Sequence, residues 1–200
     1  MKKIIIVLLI LAVLGTTGYF IFNAAGCKQK EKIAALEDRI NELQAEYVPI
    51  RFKILNRENG NIRAALKFYD ADGKVINRTT KILEGRELSV DFYVIPVKDK
   101  YLAFPVKIFT DKIATDNGES LTELYDKEGF PQIFFSKNLD KKLMGGLELI
   151  FTKIKEDNYS ADDKYFGNMV HDIPQLKAYK IGEIYRIVCR TKGGIEVIQE

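Results

Sequence analysis

Apolar positions follow three successive rhythms along this chain. Ile4 to Phe22 is a continuous apolar run, interrupted by Gly15, Thr16, Thr17 and Gly18 and free of charge. Ile33, Leu36, Ile40, Leu43 and Tyr47 then recur at alternating steps of three and four. After Pro49 the rhythm changes to strict alternation, as in Phe52 and Ile54 between Arg51 and Lys53. These patterns predict a membrane helix, an amphipathic helix and a β domain, in that order.

Extended through Ala25, the first run makes roughly 33 Å of helix, enough to cross a hydrocarbon core of about 30 Å. A transmembrane signal anchor is therefore expected over residues 4–25, behind a cytoplasmic stub of residues 1–3. Lys2 and Lys3 precede the run and Lys28, Lys30 and Lys32 follow it, so the basic asymmetry is small. The short stub sets the orientation, with the N-terminus inside and the bulk of the chain outside the cytoplasm. A removable signal peptide is the competing expectation, because Ala24-Ala25-Gly26-Cys27 resembles the lipobox of bacterial lipoproteins. That resemblance implies cleavage before Cys27 and acylation of its sulfur.

The second rhythm is a heptad seam, with Ile33, Ile40 and Tyr47 at a and Leu36 and Leu43 at d. Ile at a with Leu at d favours two parallel strands, the register open to chains anchored by their N-termini. A coiled-coil helix over residues 28–47 and a homodimer interface through these five residues are the expectation. A single amphipathic helix lying against its own domain is the alternative. Pro49 ends the segment in both cases.

Residues 50–200 read as mainly β, a sandwich or partly open barrel with a few short helices. Ile62 to Phe68, Leu88 to Val94 and Leu102 to Ile108 alternate, with Pro105 marking an edge or bulge. Asn59-Gly60 and Asp72-Gly73 are hairpin turn signals, and Lys192-Gly193-Gly194 joins a terminal hairpin of Glu183 to Arg190 with Ile195 to Ile198. Ile133 to Phe135 and Leu147 to Phe151 are further strand candidates. Short helices are expected over Leu121 to Lys127, after the capping box Ser120-Leu121-Thr122-Glu123, from Asn138 or Leu139 to Met144 before Gly145-Gly146, and over Ser160 to Phe166.

At 46% hydrophobic and 30% charged residues the composition suits one folded domain. A net charge of +3, with Lys and Arg dispersed among nearly equal acids, argues against nucleic acid as a partner. Of the two cysteines, Cys189 alternates with Tyr185 and Ile187 and reads as core.

Motifs for chemistry are sparse. His171, the single histidine, precedes Asp172, but neighbours on one segment seldom face each other and no second histidine serves a zinc site. Asp70-Ala71-Asp72-Gly73 has the opening of a calcium loop without its bidentate Glu, position 79 being Thr, so it reads as a turn. Asn77-Arg78-Thr79 and Asn158-Tyr159-Ser160 fit a glycosylation sequon relevant to a eukaryotic secretory route. Tyr93, Tyr101, Phe130, Phe134 and Phe135 gather near turns and prolines, with core packing ahead of a recognition surface.

No cofactor and no metal is expected, and no enzymatic signature is present. In plan the chain is similar to bacterial envelope scaffold proteins and bitopic components of secretion and flagellar machines. The expected function is a non-enzymatic bitopic envelope protein that oligomerises through its membrane-proximal coil and presents its β domain to envelope partners. The alternative is a lipoprotein anchored through Cys27 that binds a ligand or partner. Either version lies outside the cytoplasm, in the periplasm if the source is a diderm bacterium.

Overall fold

The computed structural model of the chain describes residues 26, 28–156, 170–172, 174 and 176–200. The apolar run Ile4–Phe22, Cys27, the helix expected over Ser160 to Phe166 and the sequon at Asn158 lie outside them. No helix among the described residues is long and apolar enough to cross a membrane.

The fold is mainly β and consistent with a sandwich. Five antiparallel strands form one sheet in the order β11-β10-β1-β2-β3, with β1 at Glu46–Glu58, β2 at Asn61–Tyr69, β3 at Val75–Glu84, β10 at Ile184–Arg190 and β11 at Ile195–Gln199. A second sheet runs β6-β5-β4-β9, from β4 at Leu88–Val97, β5 at Lys100–Thr110, β6 at Glu119–Ser120 and β9 at Val170–Asp172. Two short strands, β7 (Asp126–Lys127) and β8 (Phe130–Pro131), make a separate hairpin.

The alternating segments form strands because one face of each is covered. On β1, Ile50, Phe52 and Ile54 are buried while Arg51 and Lys53 point outward, and Ile62, Ala64, Leu66 and Phe68 match them on β2. Asn59 and Gly60 both take positive φ, at 51° and 78°, the conformation that closes a two-residue hairpin along the strand twist. The terminal hairpin β10-β11 forms where Lys192-Gly193-Gly194 placed it, and Cys189 is buried on it. Pro105 sits beside an irregularity in the β4-β5 ladder, where Asp91 pairs with Lys107 and Phe92 with Pro105.

The coiled-coil expectation fails in two respects. Residues 28–39 form helix α1, but Ile40–Glu42 tighten into a 3-10 turn and Tyr47 belongs to β1. The Ala45 carbonyl accepts the Thr191 N–H at 2.9 Å and Tyr47 pairs with Cys189, so the end of β10 draws this stretch into the sheet. Pro49 then lies inside β1, at a register shift between Tyr47 and Ile50, which accommodates its missing N–H. The seam is also already occupied within the monomer. Leu36 and Ile40 are fully buried, Leu43 and Tyr47 are buried, and Ile33 packs against the same core.

What covers that seam is helix α2, Lys141–Glu156, a single helix where a short helix and a separate strand were expected. Leu147 and Phe151, expected in a strand, are buried on it with Leu143, Ile150 and Ile154 at helical spacing. Gly145-Gly146 was read as a helix stop. Instead a Cβ placed on Gly146 would lie 2.6 Å from the Leu36 Cβ and 3.0 Å from the Lys32 carbonyl oxygen, so the absent side chain is what lets α1 approach. Ion pairs of Arg39 with Asp140 at 3.3 Å and of Lys98 with Asp38 at 3.2 Å flank the contact. Being largely exposed, each contributes under about 1 kcal/mol.

Two other short elements also differ from expectation. The capping-box segment gives a 3-10 turn at Thr122–Leu124 and then β7, with no side-chain cap from Leu121. Gln132–Phe134 is a 3-10 turn in place of a strand, and it buries Ile133 and Phe134. Both serve an aromatic chain that spans the core. Phe68 stacks on Tyr125 at 6.1 Å, Tyr125 meets Phe151 at 5.2 Å, and Phe104 contacts Phe134 at 5.0 Å. The Tyr47 hydroxyl adds a polar bridge from β1 to β5, donating to the Ala103 carbonyl at 2.8 Å and accepting from the Ala103 N–H at 3.0 Å.

Two adjacent glycines give a paired prediction. Gly146→Ala is expected to lower stability by about 1–3 kcal/mol through overpacking against Leu36. Gly145→Ala, whose Cβ would meet no atom nearer than the Lys32 side chain at 3.7 Å, is expected to raise it by about 0.5–1 kcal/mol. Urea unfolding of both variants checks the sign; equal effects contradict the close helix crossing.

Burial also makes the core sensitive to alkali. It holds the hydroxyls of Tyr47 and Tyr125 well above the usual range and, helped by Tyr185, pushes Tyr179 up to about 12. The folded state favours the neutral ring, so this stability is complete below the unfolded value of about 10 and is lost as pH rises through the folded values. Tyr179→Phe is expected to flatten the loss of stability between about pH 10 and the Tyr179 value, read from unfolding midpoints in alkaline buffers.

Candidate functional site

The five-stranded sheet has one face in the core; its outer face, closed at Val188 and the Arg186 Nε on β10 and more open on β1 to β3, carries an unusual charge arrangement. Cross-strand pairs place Arg186 beside Arg51, Arg51 beside Lys67, and Lys67 beside Arg78. The row ends on β11 at Ile198, the partner of Arg186. Strands lie about 4.8 Å apart, so four cations occupy roughly 15 Å of sheet. Like charges directly opposite each other destabilise a sheet, so this row costs the fold stability.

The neighbouring positions extend the pattern. Ile184, Lys53, Ala65 and Thr80 form the next row, and Arg63 opposes Ile82 beyond it. Acids lie at the borders: Glu200 pairs with Arg51 at 2.8 Å, Glu196 with Arg190 at 3.0 Å, and Glu84 ends β3. Lys53, Arg63, Lys67 and Arg78 have no carboxylate in ion-pair range among the described residues. The Arg186 Nε is buried without a hydrogen-bond partner.

Large apolar side chains stand among these cations. Leu55, Ile82 and Ile184 are 39%, 64% and 44% exposed, three of the five exposed large hydrophobic residues in the described chain. Arg51 lies over the Tyr69 ring at 4.5 Å from its centroid. Around the small Ala65 side chain lies a hollow of about 370 Å³ whose lining sets Arg51, Lys53 and Lys67 beside Tyr69, Ile184 and the Glu200 carboxylate. The Glu200 carboxylate hydrogen-bonds Arg51 and raises its pKa further, so that cation is permanent.

Other candidates from the sequence are absorbed by the fold. The Asp70 carboxylate accepts the Lys74 N–H at 2.8 Å and that of Asp72 accepts the Lys137 N–H at 3.0 Å, so both shape turns. Among the described residues no group of three or more His, Cys, Asp or Glu is placed to hold a metal ion. The Asn77 amide donates to the Leu124 carbonyl at 2.8 Å and is half-buried. His171 and Asp172 pair along β9 with Tyr93 and Phe92, and their side chains lie outside the described set. Of the aromatic group, Phe130 and Phe134 are core, whereas Tyr101 is 41% exposed.

Two larger grooves are mixed in charge. One of about 980 Å³ lies between α1 and α2, with Lys28, Lys32 and Lys141 opposing Glu31, Asp38 and Glu42. Another of about 830 Å³ lies beside β7, where the Asp126 carboxylate is taken by Lys155 at 2.5 Å. The second leans acidic, but Asp70, Asp72 and Asp126 in it are taken by the Lys74 N–H, the Lys137 N–H and Lys155.

No family model, curated protein or solved structure matches this chain.

Sequence reasoning identified the strands that carry the basic face but not the face itself. The available signal was the spacing: Arg51 with Lys53, and Arg63 with Lys67, sit at outward positions of paired strands. Arg78 and Arg186 joined them only through register.

Charge reversal within the row is expected to stabilise the fold. Lys67→Glu, placed between Arg51 and Arg78, replaces two repulsive pairs with attractive ones and is expected to add about 0.2–1 kcal/mol per pair at low salt. Unfolding in low and high salt checks this; a destabilised variant contradicts the row.

Proposed function

We propose that this chain is a non-enzymatic, membrane-attached interaction module whose working surface is the basic outer face of its five-stranded sheet. The apolar run Ile4–Phe22 serves as a single-pass anchor, with the N-terminus in the cytoplasm and the β domain outside it. In a diderm source that places the domain in the periplasm. The observation that carries the reading is the row Arg186, Arg51, Lys67 and Arg78 with exposed Leu55, Ile82 and Ile184 around it. A surface that lowers fold stability and exposes aliphatic side chains is suited to a partner that relieves both.

Helix α1 gives the module its geometry. Because Leu36 and Ile40 are locked into the domain core, the helix acts as a strut that sets the domain's attitude to the anchor. Self-association through Ile33, Leu36, Ile40, Leu43 and Tyr47 is no part of this proposal, since those side chains already build the monomer. The mechanism is positioning, and the partners are components of the envelope.

A second reading is supported by Ala24-Ala25-Gly26-Cys27, which would replace the anchor by lipid on Cys27. It uses the same domain and the same face. An acyl group on Cys27 that disappears in Cys27→Ala selects it, and an uncleaved N-terminus by mass spectrometry excludes it.

A photo-crosslinking residue at position 67 or 78 is expected to capture a partner, protein or lipid, in intact cells, while one at the exposed Lys112 captures none. A clean result at both face positions, or a cytosolic reporter fused after Glu200, overturns the proposal.

A further inference from the structure

We infer that the partner of the basic face is the surface of a bilayer containing anionic phospholipids, with the hollow over Ala65 receiving a phosphodiester headgroup. This inference rests on the proposed working surface and names its occupant. Three observations select a lipid surface.

The first is charge. Lys53, Arg63, Lys67 and Arg78 lack acidic partners among the described residues. A layer of phosphates complements such a field, and each nearby cation adds to attachment.

The second is the mixture of side chains. Ile82, Leu55 and Ile184 project from among the cations, the combination that an interfacial surface uses to seat aliphatic groups at the headgroup boundary while cations meet phosphate. A purely ionic partner would leave these aliphatic groups in water.

The third is shape. The cations are spread across all but one of the strands of an open sheet face, and its hollow of about 370 Å³ suits a single headgroup. Lys53 and Lys67 supply donors in its lining that no carboxylate takes, beside the Arg51–Glu200 ion pair. Attachment of the same chain to a bilayer keeps the face at high effective concentration, so weak contacts suffice.

The test uses the full-length chain reconstituted in vesicles of phosphatidylcholine, alone or mixed with phosphatidylglycerol. Lysine acylation by a water-soluble reagent is followed at each site by mass spectrometry. Lys53 and Lys67 are expected to react several-fold more slowly in the mixed vesicles, with Lys112 unchanged, and salt is expected to restore their reactivity. Arg78→Glu with Arg63→Glu is expected to restore Lys53 labelling at low salt while leaving the unfolding midpoint no lower.

Equal labelling of Lys53 and Lys67 in both vesicles overturns the lipid inference. Protection by soluble glycerol phosphate in phosphatidylcholine vesicles also overturns it, because the hollow would then take a free phosphate ester. Protection that requires an added acidic protein overturns it in favour of a protein occupant, while the proposed working surface stands. Failure of position 67 or 78 to capture anything in cells is the separate result that removes the working surface itself.

Discussion

The close crossing of α1 over α2 at Leu36 and Gly146 is the contact on which the arrangement of this molecule depends. Without a side chain at Gly146, the two helices come near enough for Leu36 and Ile40 to enter the core of the β domain. Loss of that approach would expose a helical stripe of large aliphatic residues, worth about 1.5–3 kcal/mol for each side chain returned to water. The same stripe in isolation reads as a coiled-coil seam. An apolar seam does not specify what covers it, and here the chain's own second helix packs against it at Leu36.

Helix α1 is fused to the core of the β domain and is not a loose tether. The Ala45 carbonyl, held by Thr191, and the Tyr47 hydroxyl, held by the Ala103 backbone, fix the exit from the helix as firmly as Gly146 fixes its middle. The sheet that receives this strand is also the one that carries the basic face. Helix α1 and the basic face therefore belong to one packed unit.

Stability and the proposed recognition are in tension on that face. Opposing Arg51 with both Arg186 and Lys67 places like charges side by side where opposite ones would support the sheet. The fold tolerates this because the other face of the same strands is covered by Phe52, Ile54, Leu66 and Phe68, whose burial outweighs repulsion screened by solvent. Exposed Ile82 and Ile184 add a second departure from a surface shaped by solubility alone. Such departures concentrate where a molecule meets something else.

The sequence by itself determined what depends on neighbours along the chain. Period-two alternation marked β1, β2, β4, β5 and the terminal hairpin, and Asn59-Gly60 marked a tight turn, because side-chain alternation and positive φ are local properties. Tertiary structure decided the rest. Gly145-Gly146 looks like a helix stop until another helix needs the space, and Leu147 to Phe151 is too short an apolar run to declare itself helix or strand. Tyr47 fits a heptad and a strand equally well, and pairing with Cys189 chose the strand. The basic face was hidden for the same reason: Arg51, Lys67, Arg78 and Arg186 are far apart in sequence, and only strand register, a long-range property, sets them in one row.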